Sequence, residues 1–170
     1  MKTLAEQMRI YEQYHTKEVT KITHYIGVPM VIFGLMIFFG WIHLSMPPLF
    51  DIPLERILIL ALLIYYFFLD WMIAIATTVI AIIMAFISEL VSQPEIHALG
   101  FILFIAFFVG GWIVLLVGHF IEGRKPALAD NLFQMLIAPI FLVAELFFAA
   151  GMKKDLQSEV QMSEESKDSE

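Results

Sequence analysis

The sequence has no cysteine and few charged residues. Asp, Glu, Lys and Arg make up 16% of its 170 residues, whereas 60% are hydrophobic. The absence of cysteine excludes disulfide bonds, thiolate metal sites and a cysteine nucleophile. A soluble domain normally carries about a quarter charged residues. The composition therefore excludes a soluble fold and predicts an integral membrane protein.

Several signatures of known function classes are also missing. The sequence has no basic stripe for nucleic-acid binding, no glycine-rich phosphate loop, no nucleophile elbow and no HExxH motif. Residues 1–21 are polar, so they do not resemble a signal peptide. Much of the net charge of −7 comes from the C-terminal end, which predicts a disordered tail over residues 153–170 and a single membrane domain over residues 1–152.

Five apolar blocks predict an all-α, polytopic transmembrane helical bundle. A short N-terminal amphipathic helix over residues 3–15 precedes them, because Leu4, Met8, Tyr11 and His15 share one helical face. A helix needs about 20 residues to cross the hydrocarbon core, and the shortest block reaches a better length if it begins at Leu54. The sequence therefore predicts about five membrane helices, over residues 25–46, 57–69, 71–88, 98–117 and 132–150.

Asp70 separates the second and third blocks. One continuous helix over 57–88 would be about 48 Å long and would leave Asp70 near the middle of the membrane, at a cost of about 2.5–3.5 kcal/mol. A tight turn at Asp70 avoids this cost. An even number of crossings then separates residues 1–24 from 118–131, so both segments lie on one side. That side would carry six Lys and Arg against four on the other, which favours the cytoplasm.

Histidine is the residue type best suited to metal chemistry in this sequence. His15 and His24 would point about 180° apart on one unbroken helix, so they can share a metal only if the chain breaks between them. The even number of crossings brings His119 to the same side. Three histidines with open positions would suit Fe(II) or Zn(II). His43 and His97 lie on the opposite side; any of the five can equally be an interfacial residue bonded to water or lipid.

Residues 117–128 concentrate polar groups between two apolar blocks. Arg124 and Lys125 can anchor to lipid phosphates or hold an anionic headgroup or carboxylate beside a metal on His119. Glu122 follows His119 by three residues, so the two share a helix face. Glu145 lies about fourteen residues into the last block, where it is either functional or solvated near the far interface.

Two stretches of the sequence resemble one known family. They read Y-H-x8-H-x-I-G-V-P over 14–29 and G-H-F-I-E-G-R-K-P-A-L-A-D-N-L-F-Q-x-L-I-A-P-x-F-L-V-A-E-L over 118–146. Both resemble the small membrane 2-hydroxy fatty acid dioxygenases, a family typified by a fungal endoplasmic-reticulum enzyme of phytosphingosine breakdown and with many bacterial members. Residues 30–117 match only in hydrophobic pattern.

The resemblance implies an Fe(II)-dependent dioxygenase. It would use O2 to shorten a long-chain 2-hydroxy fatty acid by one carbon, in fatty acid alpha-oxidation. The family's essential histidines correspond to His15, His24 and His119, which would hold the iron.

The same resemblance suggests supporting roles for neighbouring residues. Arg124 or Lys125 would assist at the substrate carboxylate, and Glu122 would either bind the metal or support His119. Many members carry asparagine where this chain has Lys17 and Thr20. If those asparagines orient ligands or substrate, this protein differs in substrate or rate.

Two other classes of function remain open from the sequence. One is a different membrane metal enzyme acting on lipids, such as a lipid hydroxylase or a zinc hydrolase. The other is a non-enzymatic protein that binds lipid, organises the membrane or holds haem between two histidines. Iron dependence and O2 consumption separate the first from the dioxygenase, and a haem absorption band would identify the last. The membrane would be the bacterial inner membrane or the endoplasmic reticulum.

Overall fold

The computed structural model describes residues 2–12, 17–92, 95–123 and 133–165. Within these ranges the chain is almost entirely helical, which confirms the predicted all-α class, with one short β-hairpin. The elements are α1 (Leu4–Glu12), α2 (Glu18–Gly40), β1 (His43–Met46), β2 (Phe50–Pro53), α3 (Leu54–Leu69), α4 (Trp71–Ser92), α5 (Ala98–Glu122), α6 (Phe133–Ala149) and α7 (Lys154–Glu165).

Helices α2 to α5 form the membrane bundle and run in alternating directions. Three of them, α2, α4 and α5, are long and apolar enough to cross a membrane. Helix α3 has 16 residues and begins at Leu54, as predicted. It runs back from the hairpin to Asp70. The end of the bundle that contains His24 and His119 is called the histidine side, and the opposite end is called the hairpin side.

The predicted turn at Asp70 is confirmed. Asp70 separates α3 from α4 and has an extended backbone. Its Oδ1 accepts hydrogen bonds from the backbone N–H groups of Met72 at 3.0 Å and Ile73 at 3.1 Å. A carboxylate that caps a helix start in this way satisfies otherwise unpaired donors. The charge that breaks the apolar run therefore also starts the next helix.

The first membrane helix ends earlier than predicted. Instead of continuing to Met46, α2 stops at Gly40, and His43–Met46 pairs with Phe50–Pro53 as an antiparallel hairpin. The residues before a proline favour extended backbone, and Pro47 and Pro48 follow this strand directly. Uncharged composition alone cannot distinguish such a strand from the end of a helix.

Among the described residues, three helices pass as membrane spans, or four if α6 and the bent helix after it count as one, so the number of crossings stays approximate. Helix α6 contacts the histidine side near both of its ends. The Leu136 carbonyl accepts a hydrogen bond of 2.5 Å from the Tyr66 hydroxyl, close to the end of α3. Glu145 accepts one of 2.8 Å from the Tyr25 hydroxyl, in the early part of α2. Helix α6 therefore lies across the end of the bundle rather than through the membrane.

Burial explains why α6 resembles a membrane span in sequence. Its residues from 137 to 144, apart from Pro139, are all buried by the protein itself. They pack against α1, α2 and α4. A helix that is apolar all round is either a membrane span or a buried core helix, and α6 is the second kind.

The acidic tail is helical over much of its length, where its composition predicts disorder. Helix α7 packs against α1, its Val160 is buried, and Arg9 pairs with Glu159 at 3.7 Å. Lys153 also pairs with Asp70 at 2.7 Å. Residues 166–170 lie outside the described ranges, and the division at residue 152 stays a prediction.

The N-terminal helix is described from Leu4 to Glu12, inside the predicted 3–15, and its buried face is as expected. Residues 13–15 lie outside the described ranges. Leu4, Met8 and Tyr11 are buried. Thr3 and Glu6 form a reciprocal capping box, with hydrogen bonds of 2.8 and 3.2 Å between each backbone N–H and the other side chain. Helices α1, α6 and α7 thus form a second layer over the histidine side of the bundle.

Candidate metal site

Close packing of α2 against α5 positions the candidate site. A Cβ added at Gly34 would lie 2.8 Å from the backbone nitrogen of Phe108, and one added at Gly118 would collide with Thr23 Oγ1. The absence of a side chain at these positions lets the two helix backbones approach closely. Their antiparallel alignment sets the first turns of α2 against the last turns of α5.

This alignment brings His24 of α2 and His119 of α5 together. Their ring centroids lie 5.0 Å apart with an interplanar angle of 87°. Both residues are buried, with relative exposures of 6% and 7%. The predicted meeting of these two histidines on one side of the bundle is confirmed.

The tautomer of His24 follows from its hydrogen bond. Its Nδ1 lies 2.8 Å from the backbone carbonyl oxygen of Thr20. A carbonyl oxygen can only accept, so Nδ1 carries the proton and donates. In the neutral ring Nε2 then holds the lone pair, and a fixed Nδ1–H is the arrangement typical of a metal-binding histidine.

Glu122 joins the end of α5 to the start of α2. Its Oε2 accepts a hydrogen bond of 2.5 Å from Thr20 Oγ1 and one of 3.1 Å from the backbone N–H of Lys17. The ammonium group of Lys17 donates to the Ile121 carbonyl at 2.7 Å. Glu122 is itself buried. The carboxylate therefore supplies from another helix the N-terminal cap that α2 lacks in its own side chains.

One aromatic side chain of the second layer, Tyr11, covers His24. The Tyr11 ring meets His24 edge-on at a centroid distance of 6.0 Å and packs on Phe141 of α6 at 4.2 Å. Burial raises the pKa of the Tyr11 phenol well above its ordinary value, and the charge of Glu145 adds to that effect. Sequence reasoning placed Tyr11 on a buried helix face but did not connect it to the site.

The predicted site residues divide into three groups. His24, His119 and Glu122 lie together, whereas His43 and His97 lie on the hairpin side, as predicted. His43 Nδ1 is 3.1 Å from Asp51 Oδ1 and His97 Nδ1 is 3.0 Å from the Glu95 carbonyl. The third group lies outside the described ranges: His15, Arg124 and Lys125.

Glu145 occupies neither of the positions predicted for it. It is on the histidine side, where it accepts a hydrogen bond from Tyr25 and pairs with Lys21 at 3.6 Å. A position fourteen residues into a crossing helix would have been deep in the membrane or beyond it. Glu145 therefore lies near the last residues of α1 and the first turns of α2.

The histidine pair fits a shared metal ion. With metal–nitrogen bonds of about 2.1 Å, two imidazoles on one metal have ring centroids on the order of 5 Å apart, close to the spacing seen here. Among the described residues, no group of three His, Cys, Asp or Glu is arranged to hold a metal. The structure therefore brings together two of the three residues predicted to bind metal. His15, the third, lies outside the described ranges, and the metal site stays a prediction.

Comparison with known proteins identifies the family. A family model described as Mpo1-like, 2-hydroxy-palmitic acid dioxygenase Mpo1-like, matches residues 1–150. The 2-hydroxy-palmitic acid dioxygenase MPO1 of Saccharomyces cerevisiae is 30% identical over 158 residues, covering 91% of this chain and 86% of the yeast protein. No solved structure gives a significant match. Because the family model spans nearly the whole chain, this protein belongs to the Mpo1-like family.

Proposed function

We propose that this protein is a membrane-bound dioxygenase that shortens long-chain 2-hydroxy fatty acids by one carbon. The observation that carries the proposal is the buried contact between His24 and His119, with centroids 5.0 Å apart, in a member of the Mpo1-like family. The yeast relative is named for 2-hydroxy-palmitic acid, which indicates the substrate class.

The proposed cofactor is Fe(II), held by His15, His24 and His119. Three neutral imidazoles do not neutralise the 2+ charge of the ion, and they leave several coordination positions open. Both features suit Fe(II) in oxygen chemistry. When bound, the iron would supply O2 activation. Support for this assignment comes from the spacing of the two described histidines and from the Nδ1–H of His24, which leaves Nε2 as the basic nitrogen.

The protein's own groups position the histidines and keep water out. The Thr20 carbonyl fixes the ring of His24 through Nδ1, and Glu122 fixes Thr20 through its hydroxyl. Tyr11 packs against His24 and is itself backed by Phe141. In such a dry setting, charges and hydrogen bonds act more strongly than in water. Glu122 is thus assigned a positioning role behind His24, through Thr20, whereas the sequence predicted that it would bind the metal or support His119.

The overall reaction balances without an added reductant. One 2-hydroxy acid and one O2 contain the atoms of a carboxylic acid one carbon shorter, one CO2 and one H2O. The C1–C2 bond breaks, C2 is oxidised to the new carboxyl carbon and C1 leaves as CO2. All four electrons given up by the two carbons reduce O2. The predicted assistance of Arg124 or Lys125 at the substrate carboxylate stays a prediction.

The histidine side is proposed to face the cytoplasm. Among the described residues, Lys2, Arg9, Lys17, Lys21, Lys153 and Lys154 lie on the histidine side, whereas Arg56 lies on the hairpin side, where it pairs with Glu89. Membrane proteins retain Lys and Arg in their short cytoplasmic segments. This imbalance is larger than the one predicted from the sequence, because α6 does not carry the C-terminal lysines across.

The first test measures bound metal and O2 consumption with 2-hydroxypalmitate. The wild type is expected to hold about one iron per chain and to release a fatty acid one carbon shorter. His24→Ala and His119→Ala should lose both iron and turnover, whereas His43→Ala and His97→Ala, on the hairpin side, should keep both. A wild type that holds no metal after anaerobic Fe(II) loading, or turns over with Zn(II) and without O2, would contradict the proposal.

A further inference from the structure

A polar cavity opens beside the candidate metal site on the histidine side. It has a volume of about 220 Å³ and lies where α2, α6 and α7 meet. Its polar lining residues are Glu12, Lys21, Tyr25, Glu145, Gln157 and Gln161. None of the predicted metal ligands is among its lining residues, and the proposed reaction has not yet used it.

The cavity adjoins His24 through two neighbouring features. Lys21 precedes His24 by three residues, so it lies one turn nearer the polar end of α2 and about 60° around the helix. Tyr25 follows His24 directly. Tyr11 borders both regions, because its ring contacts His24 while Glu145 and Tyr25 act on it electrostatically. The cavity therefore lies beside the turn of α2 that carries His24.

The ion pair between Lys21 and Glu145 in this cavity can open so that Lys21 binds another anion. Lys21 Nζ lies 3.6 Å from Glu145 Oε1, and the Lys21 side chain is 40% exposed against 13% for Glu145. Glu145 has a second partner, the Tyr25 hydroxyl at 2.8 Å. A partly exposed ion pair of this kind contributes little to stability. Lys21 can therefore turn to another anion at little cost, and Glu145 keeps the hydrogen bond from Tyr25.

We propose that Lys21 binds the carboxylate of the fatty acid substrate, taking it in exchange for Glu145. This inference rests on the proposed function, because it names the group that recognises the acid end of that substrate. A lysine one turn from His24 holds the carboxylate beside the histidine pair, where the neighbouring 2-hydroxyl group belongs. Lys21 is then a specificity-determining residue that selects free acids over esters, and Glu145 is its counterion when no substrate is bound.

The test compares binding of 2-hydroxypalmitate and its methyl ester, which lacks the charge. Binding is measured by calorimetry on iron-loaded protein in detergent without O2, and iron content is measured on the same samples. The wild type should prefer the acid by about 10- to 100-fold, as expected for a charge-assisted hydrogen bond. Lys21→Met should lose most of this preference and keep its iron, whereas Lys21→Arg should retain it.

Two further variants sharpen the test. Glu145→Gln removes the competing carboxylate, so it should raise affinity for the acid about 2- to 5-fold and leave affinity for the ester unchanged. Lys153→Met is the matched control, because Lys153 is another lysine on the histidine side that forms an ion pair, with Asp70. It should behave as the wild type does.

Three results would overturn the assignment of Lys21. They are a wild type that binds acid and ester equally, a Lys21→Met variant that keeps its iron and the full preference, and one that keeps its iron but loses acid and ester alike. If Arg124→Met instead abolishes the preference, the carboxylate is bound after α5. In that case O2 consumption by the wild type would still support the proposed function, so the two proposals fail separately.

Discussion

The carboxylate of Glu122, at the last residue of α5, accepts a hydrogen bond of 2.5 Å from the hydroxyl of Thr20, in the first turn of α2. The same Thr20 accepts the Nδ1–H of His24 at its backbone carbonyl. One residue of α2 therefore connects the carboxylate that caps the helix to the ring that is proposed to bind metal. Replacing Glu122 is therefore expected to change the position of the His24 ring through Thr20.

Glu122→Ala should weaken metal binding about 10- to 100-fold, the usual effect of removing a group that supports a ligand. It should also lower the free energy of unfolding by about 1.5–3 kcal/mol, because charge-assisted hydrogen bonds to Lys17 and Thr20 are lost. Glu122→Gln keeps an acceptor oxygen and should recover most of the metal affinity. Metal titration and thermal unfolding check both effects. If Gln is as damaging as Ala, Glu122 is a ligand rather than a positioning residue.

Thr20→Val should share part of the Glu122 effect, since it removes the hydroxyl and keeps the carbonyl that holds His24. A several-fold loss of metal affinity is expected, smaller than that of Glu122→Ala. Thr78→Val is the matched control, because the Thr78 hydroxyl bonds only to its own helix, at the Ala74 carbonyl. Equal metal affinities in the two valine variants would show that the Thr20 hydroxyl does not support metal binding.

Tyr11 covers His24, so its ring should matter more than its hydroxyl. Tyr11→Ala removes packing on Phe141 and His24 and should cost about 3–5 kcal/mol of stability. It should also release iron faster to an external chelator. Tyr11→Phe keeps the ring and should release iron at nearly the wild-type rate. If Tyr11→Phe released iron as fast as Tyr11→Ala, iron retention would depend on the Tyr11 hydroxyl and not on its ring.

The sequence predicted correctly those features that follow from the physical chemistry of a single residue. Asp70 could not remain in hydrocarbon, so the turn at Asp70 followed from its charge. The meeting of His24 and His119 was predicted from an even number of crossings between them, and the two rings lie 5.0 Å apart in the structure. The capping role of Glu122 could not be foreseen, because it depends on the distance between two helices far apart in sequence.

The two expectations that differ from the structure, on α6 and on the tail, have different causes. For α6, burial against protein and burial in lipid select the same residues. The buried face of α6 is as apolar as a membrane span, and only the contacts of Leu136 and Glu145 reveal that it lies across the bundle. The tail was expected to be disordered because of its acidity. A few groups, including the buried Val160 and the partner of Arg9, hold α7 in place.

Gly118→Ala should separate the two histidines, because the new Cβ would collide with Thr23 on α2. The helices must move apart next to His119, so iron binding is expected to fall at least 10-fold. Gly110→Ala, two turns away on the same helix, meets only the flexible end of Met30 at 3.3 Å. It should bind iron normally. Similar iron contents in both variants would show that close packing at Gly118 is not required for the site.

The position of α6 predicts on which side of the membrane α7 lies. With four crossings α7 lies on the same side as α1, whereas five would put the two on opposite sides. The chain has no cysteine, so single variants can be labelled without background. A maleimide that cannot cross membranes should label Lys2→Cys and Ser158→Cys from one side of sealed, uniformly oriented vesicles, and Leu49→Cys, in the exposed hairpin, from the other. Labelling of Ser158→Cys together with Leu49→Cys would restore the fifth crossing, and the contacts of Glu145 and Lys153 with the histidine side would then have to be abandoned.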